Sequence, residues 1–393
     1  MDPEAFRNGR SGRTVQVPGK GYWTYLPEPL PPRLEWPSTL VTGLADAASA
    51  LGELKGLGHS LANPHLLIAP FIRREAVLSS RIEGTQASLS DLYAYEAVQL
   101  SMFSRPTDVR EVHNYVRALE YGLQRLETLP LSLRLIRELH ARLMEGVRGE
   151  HRTPGEFRRS QNWIGPPGCL LDDATFVPPP PEEMRAALYD LENYMRAEAT
   201  LHPLIRLGLI HYQFEAIHPF LDGNGRVGRL LIVLLLCAWD LLPQPLLYLS
   251  AYFQRHRETY YQCLLAVSQR DAWTEWLLFF LQGVVTQSKD AVARSRRLLD
   301  LRERYRVQFQ SQRTAARLLQ VIDVLFTRPV TTINQLAEAL DVSHQSATRY
   351  VRTLESEGIM REITGQARNR VYQADAILEA IVTPLSGQDG ERA

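Results

Sequence analysis

Between two strongly apolar stretches the sequence gathers His218, Asp222, Gly223, Asn224, Gly225, Arg226 and Arg229 in the single segment HPFLDGNGRVGR. Polar groups of this kind are costly to bury without partners, so their placement asks for a chemical reason. Gly223-Asn224-Gly225 offers a turn with open backbone amides. The helix expected to begin near Arg226 adds unsatisfied N–H groups and the positive end of its dipole, which makes an anion cradle. Arg226 and Arg229, three apart on the first turn, can both reach the oxygens of a polyphosphate. Asp222 is a hard oxygen donor of the type that holds Mg²⁺ against phosphate. His218 is the nearby group able to take a proton near neutral pH. Together these residues describe phosphate-directed transfer with a general base, and by themselves leave open which phosphorus is attacked. His211 and Glu215 share a helix face with a spacing a metal could use. Pro219 ends that helix at once and no third ligand is evident, so both are read as structural residues of the pre-motif helix.

The elements that must position the motif follow from periodicity. A helix over residues 204–217 delivers the chain to His218. The apolar run LLIVLLLCAW at 230–239 is about half the length of a membrane span and is closed by Asp240 and Pro243, so it is expected to be a buried core helix. Leu40, Leu44, Ala47, Leu51 and Leu54 recur at helical spacing, which returns at 109–126 and 133–144, so residues 40–145 are expected to be all-α. Residues 151–181 break the pattern with Pro, Gly and the short apolar groups Trp163-Ile164 and Thr175-Phe176-Val177, which predict a β-hairpin. Pro181 then opens another helix. Residues 1–40, rich in Gly and Pro, predict an extended arm laid over a later domain. The arginine-rich ARSRRLLDLRERYRVQFQ, of alternating charge, predicts a solvated linker helix. Helices at 314–326, 333–340 and 344–357, the last capped by Ser343 and ended by Gly358, precede two strands at 359–363 and 370–372, in winged-helix order.

The chain has 393 residues, enough for about two or three domains, and a formal net charge of zero, so no global field draws it to nucleic acid or anionic membrane. Its three cysteines, Cys169, Cys237 and Cys263, lack the pair spacings of zinc or redox sites and fit a reducing compartment. The start, MDPEAFRNGR, lacks the apolar segment of a secretory signal, and a cytoplasmic location without membrane attachment is expected.

The motif resembles that of the Fic family, His-x-Phe-x-Asp/Glu-Gly-Asn-Gly-Arg-x-x-Arg, at every fixed position: His218, Phe220, Asp222, Gly223, Asn224, Gly225, Arg226 and Arg229. The resemblance implies a mainly α fold, a Fic-type helical core with a small β-hairpin flap, here joined to a C-terminal winged helix-turn-helix domain. It also implies a protein adenylyltransferase that moves AMP from ATP, with Mg²⁺, to a Ser, Thr or Tyr hydroxyl of a target protein or of itself. His218 would deprotonate the hydroxyl and Asp222 would hold Mg²⁺. ATP would be bound by Gly223, Asn224, Gly225, Arg226, Gly228 and Arg229, with Arg229 on the γ-phosphate and Phe220 in the core. The family's inhibitory motif, Ser/Thr-x-x-x-Glu-Gly/Asn, resembles SSRIEG, giving Ser79, Glu83 and Gly84. Glu83 paired with Arg229 would deny that arginine to ATP, so the resemblance implies an autoinhibited enzyme.

The segment at 163–177 resembles the family's flap, which registers the target protein through main-chain pairing. Arg158 and Gln161 in GEFRRSQNWIG are expected to brace it. AYFQRHRETYYQCL resembles the segment that closes over adenine, with His256 where the family has Asn, and leaves Tyr260 and Tyr261 for the base. The resulting domain plan is an arm at 1–40, a helical region with the inhibitory helix at 41–105 and a catalytic core at 106–290. A linker helix at 291–311, a winged helix at 312–382 and a disordered tail at 383–393 complete it. In the winged helix, His344, Gln345, Thr348, Arg349 and Arg352 would face a DNA major groove. Residues 313–375 hold eight arginines against seven acidic residues, which is poor for phosphate contacts, so an interaction or homodimer role is favoured over DNA binding. The alternatives are a DNA-binding regulator that keeps a Fic core as a sensor, and a Fic enzyme that transfers another phosphate-containing group or removes AMP.

Overall fold

A computed structural model describes residues 1–6, 9–61, 63–98, 106–149, 151–198, 200–311, 315–366 and 368–383. The tail expected at 383–393 lies, apart from residue 383, outside the described residues. The Gly- and Pro-rich start is not simply extended. It forms the antiparallel hairpin β1 (Gly12–Gln16) and β2 (Trp23–Pro27), in the register Gly12↔Pro27 to Gln16↔Trp23. Gly19 and Gly21, both at positive φ, make its turn. The hairpin lies over later parts of the chain. Tyr25 N–H donates to the Val177 carbonyl, Gln213 Nε2 donates to that of Glu28, and Phe6, Tyr25 and Phe176 form one aromatic cluster.

The next elements are α1 (Ser38–Ser60), α2 (His65–Ile82), α3 (Leu89–Val98), α4 (Pro106–Arg125), α5 (Leu133–Leu143), α6 (Pro181–Arg196), α7 (Pro203–Ile217), α8 (Asn224–Ala238), α9 (Ser250–Arg255), α10 (Arg257–Arg270) and α11 (Trp273–Phe309). From Val227 to Leu236 every residue of α8 is buried, as expected of a helix apolar on all faces. It packs against α2, α4, α5 and α7. The motif loop therefore hangs between two helices fixed in the core. α7 stops at His218, whose backbone is left-handed (φ 50°, ψ 60°), immediately before Pro219. α8 starts after Gly223, also left-handed at φ 78°.

The arginine-rich segment is not a solvated linker. It is the second half of α11, a continuous helix of 37 residues. Most of its charges are exposed or half-exposed, Arg294 being buried in a pair with Asp290, while Ala291, Val292, Leu298, Leu301, Tyr305 and Phe309 are buried, in a helix that packs on α12 (Ala315–Thr327) and α15 (Asp375–Val382). Counting charges along the sequence missed this because the apolar residues recur at helical spacing beneath them.

Between α12 and α15 lie β3 (Val330–Thr332), α13 (Ile333–Ala339), α14 (His344–Ser356), β4 (Arg361–Glu362) and β5 (Val371–Gln373). The three strands form an antiparallel sheet in the order β3-β5-β4. Thr332 and Gln335 make a capping box at α13, and the Ser343 hydroxyl accepts from Ser346 N–H at the start of α14. Strand β3 and helix α15 were not expected from the sequence; both are too short for periodicity to announce. The winged unit does not stand apart. α12 and α15 pack on α2, and β3 packs on α3. No helix among the described residues is long and apolar enough to cross a membrane.

Candidate active site

The motif loop is closed from within by Asn224. Its Oδ1 accepts from Phe220 N–H and its Nδ2 donates to the Phe220 carbonyl, both at 2.8 Å. Asn224 is thus committed to shaping the cradle. Phe220 is fully buried and stacks on His140, ring centroids 3.8 Å apart. His140 accepts from Gly155 N–H at Nδ1 and so donates from Nε2 to the Asp222 carbonyl at 3.0 Å. Burial pushes the His140 imidazole down to about 4, so it stays neutral in this role.

His218 opens onto a cavity of about 620 Å³ whose wall includes Glu83, Gly225, Arg229, Tyr261 and the flap residues Trp163 and Ile164. Its Nδ1 lies 3.2 Å from the Glu215 carbonyl, which can only accept, so Nδ1 carries the proton and Nε2 is left as a base. Burial is the main reason its pKa falls to about 4, with Arg158 adding to the fall and Glu83 opposing it. The ring is therefore neutral at pH 7.

Arg229 is held by the end of α2 at three points. Its Nε donates to Ser79 Oγ at 2.8 Å, and its Nη2 donates to the Ser79 carbonyl at 3.1 Å and to Glu83 Oε1 at 2.6 Å. The arginine side chain is 2% exposed and the glutamate 34%, so the pair sits at the cavity wall with the carboxylate toward solvent. Burial works against the charge of Glu83, but Arg229, Arg226 and His218 outweigh it and hold the carboxyl below its ordinary range. Gly84, at φ 94°, lets the chain leave α2 directly after the pair. A Cβ on Gly225 would lie 2.4 Å from Glu83 Oε1, and one on Gly228 would lie 2.4 Å from Glu215 Oε1. Gly225 leaves room for the ion pair, and Gly228 for close packing of α7 on α8.

The hairpin expected at 163–177 is reduced to one antiparallel bridge, Ile164 with Phe176, with N–H to carbonyl distances of 2.8 and 3.0 Å. Pro166 and Pro167 have no N–H to extend the ladder. The brace below it is stronger than the sequence suggested. Arg158, fully buried, donates to the carbonyls of His218 (3.0 Å), Ser160 (3.2 Å), Pro179 (2.5 Å) and Ile217 (3.4 Å). Gln161 Nε2 donates to the Asn162 and Pro178 carbonyls. Asn162, which was not anticipated, donates to the His218 and Phe220 carbonyls at 3.1 and 2.8 Å. Flap and motif loop are therefore tied to each other by side-chain hydrogen bonds to main-chain carbonyls.

Among the expected nucleotide and metal residues, Asp222 and Arg226 sit off the cavity wall, as do Gly223, Asn224 and Gly228, while Tyr260 lines it. Arg226 is buried beside Glu111 and Asp222, and its Nε and Nη1 have no hydrogen-bond partner among the described residues. Asp222 lines a neighbouring shallow cleft with Arg148, Gly149, His151 and Arg152. Tyr260 is 1% exposed and its hydroxyl lies 2.8 Å from His211 Nε2, so its ring faces the cavity while its polar end is taken. Tyr261, 41% exposed, is the ring of the pair open to a ligand. The ring nitrogens of His211 lie at the Gly228 carbonyl and the Tyr260 hydroxyl, and among the described residues no group of three or more His, Cys, Asp or Glu is placed to hold a metal ion. One partly exposed carboxylate beside a phosphate cradle is the donor set of a Mg²⁺ that keeps waters and takes its remaining ligands from substrate phosphates. Asp222 is a carboxylate of that kind, 41% exposed, with Oδ1 accepting from Gly223 N–H at 2.6 Å.

Residues 41–124 match the Fic/DOC family N-terminal model, residues 130–236 the Fic/DOC family model and residues 318–374 an HTH DNA binding domain. A protein adenylyltransferase Fic of Drosophila erecta is 29% identical over 162 residues, and that of Drosophila virilis 30%. In each case the match covers 39% of this chain and 30% of the relative, so the chain spans under a third of those relatives' length. A solved Fic family protein from Desulfovibrio desulfuricans G20 superposes with TM-score 0.57 at 22% identity, over 88% of this chain and 98% of that one. That likeness extends the shared fold over most of the chain.

Proposed function

For a chain that belongs to the Fic/DOC family, with an HTH domain after its catalytic region, we propose protein adenylyltransferase activity restrained by Glu83. The observation that carries this reading is the cavity in which a neutral His218, the cradle glycine Gly225 and Arg229 meet beneath the flap. His218 Nε2 takes the proton of a target Ser, Thr or Tyr hydroxyl. The hydroxyl oxygen bonds to the α-phosphorus of ATP as the bond to the α,β-bridging oxygen breaks, and pyrophosphate leaves. Open amides of the cradle and the start of α8 hold phosphate oxygens. Asp222 would hold Mg²⁺, which would neutralise phosphate charge when bound. Tyr261 and the apolar flap side of the cavity suit the base, and the edge at Ile164 suits an extended target segment.

Arg229 serves both states. While Glu83 and Ser79 hold it, the γ-phosphate lacks its partner and the α-phosphorus is not aligned for attack. Releasing a partly buried guanidinium–carboxylate pair costs on the order of a few kcal/mol, enough to slow transfer by ~10²-fold. The test is to incubate Glu83→Gly with ATP labelled separately at the α- and γ-positions. Protein-bound label from the α-position alone is expected. Label from the γ-position would mean phosphorylation, and equal labelling of wild type and Glu83→Gly would remove the brake.

A second reading attaches to α14. His344, Gln345, Arg349 and Arg352 are exposed on it, the face a DNA-reading helix would use. A shifted genomic fragment on addition of the full chain, lost in Arg349→Ala with Arg352→Ala, would support DNA as a partner over a protein or a second copy.

A further inference from the structure

Arg226 lies between two carboxylates at almost equal range. Its Nη1 is 3.6 Å from Glu111 Oε2 and its Nη2 is 3.7 Å from Asp222 Oδ1. Two of its buried nitrogens, Nε and Nη1, have no hydrogen-bond partner among the described residues, so the guanidinium is held by charge and not by a full set of acceptors. Glu111 comes from α4, outside the motif, and is 3% exposed. It is fixed from other sides: Arg148 donates to it from Nε at 2.7 Å and from Nη2 at 3.2 Å, and the Thr85 hydroxyl donates at 3.1 Å.

Asp222 and Arg226 are four residues apart, with α8 beginning between them at Asn224. Asp222 Oδ1 already accepts from Gly223 N–H at 2.6 Å, so a closer pair with Arg226 would take up what remains of the carboxylate for a cation, and Glu111 supplies the competing charge. We propose that Glu111 is a positioning residue that holds Arg226 away from Asp222 and so keeps the Asp222 carboxylate available to a divalent cation bound with a nucleoside triphosphate. This rests on the reading of Asp222 given above. Without the Glu111 charge, Asp222 is the carboxylate left beside a buried arginine with unmatched donors, and the two close on each other. Thr85 lies two residues beyond Glu83, so the end of α2 that restrains Arg229 is anchored on the same carboxylate.

The experiment uses full-length Glu83→Gly protein and reads Mn²⁺ affinity by electron paramagnetic resonance in the presence of α,β-methylene-ATP, with no turnover required. Melting temperature is followed in parallel. Adding Glu111→Gln is expected to weaken Mn²⁺ binding ~10-fold or more, as loss of a residue that orients a metal ligand does. Adding Arg226→Met as well is expected to restore it, because the competitor is gone. Arg226→Met alone is expected to keep the affinity, which holds the inference testable should Glu111→Gln not fold. Unchanged affinity in Glu111→Gln, a loss that persists in the double variant, or a loss in Arg226→Met alone overturns the inference. Asp222→Ala separates the two levels. A loss there with none in Glu111→Gln defeats only the role of Glu111, whereas no loss there defeats the reading of Asp222 and this inference with it.

Discussion

Helices α8 and α14 both follow a polar turn and both carry two arginines three residues apart, and they put those arginines in opposite surroundings. On α8, Arg226 and Arg229 are buried, and each faces a carboxylate from a distant element, Glu111 on α4 and Glu83 at the end of α2. On α14, Arg349 and Arg352 are exposed. A buried guanidinium needs counter-charge and acceptors, so its surroundings are narrowly specified and point to one kind of chemistry. An exposed one is compatible with DNA, with protein or with water. The first helix therefore speaks to a reaction, and the second only to a surface.

The comparison is broken most severely at His218. In the Glu83→Gly background, His218→Ala is expected to lower AMP transfer by ~10²- to 10⁴-fold, the usual worth of a general base, measured as label incorporated from α-labelled ATP. The same assay has a predicted pH profile. The active form is the neutral imidazole, whose pKa is held at about 4, so lowering pH from 7 should leave the rate flat until the profile nears that value. Glu83 raises this pKa, so its removal moves the acid limb lower still. A rate that halves near pH 6.5, the ordinary histidine value, would contradict the burial argument.

Arg158→Met sharpens the picture of flap and loop tied together. It removes a donor from four carbonyls, of which that of His218 keeps Asn162, and should cost about 3 kcal/mol of stability, read from denaturant unfolding. Ser79→Ala removes one charge-assisted bond of the brake and should raise transfer by about tenfold or less, well short of Glu83→Gly. Arg349→Ala with Arg352→Ala should change self-labelling least, by under about twofold, since exposed substitutions far from the motif rarely matter. A large change there would mean that the winged unit, seated on α2, controls the brake.

Legibility in the sequence followed the same division. The motif helix pair was readable because an all-apolar helix beside Gly, Asp, His and Arg admits few arrangements. The pairing of Glu83 with Arg229 spans 146 residues and was anticipated only through a family motif, since no local pattern links the two. Asn162, His140 and Glu111 carried no signal. Each acts through carbonyls or charges supplied by remote segments, and an Asn, His or Glu in a polar stretch reads as surface. The flap misled by its apolar pairs, which suggested two strands where prolines permit one bridge. The second half of α11 misled through charge, which hid a buried stripe. Tyr260 was placed by its neighbour, yet its hydroxyl is taken by His211 from a helix that precedes the motif.

The claim that one arginine serves both the brake and the nucleotide is tested most directly by intact mass after incubation with ATP and Mg²⁺. Wild type, Glu83→Gly and Glu83→Gly with His218→Ala should be compared over the same time. The account predicts gain of one or more AMP groups in Glu83→Gly, little in wild type and none in the double variant. Equal gain in wild type and Glu83→Gly, or gain that survives loss of His218, would contradict it.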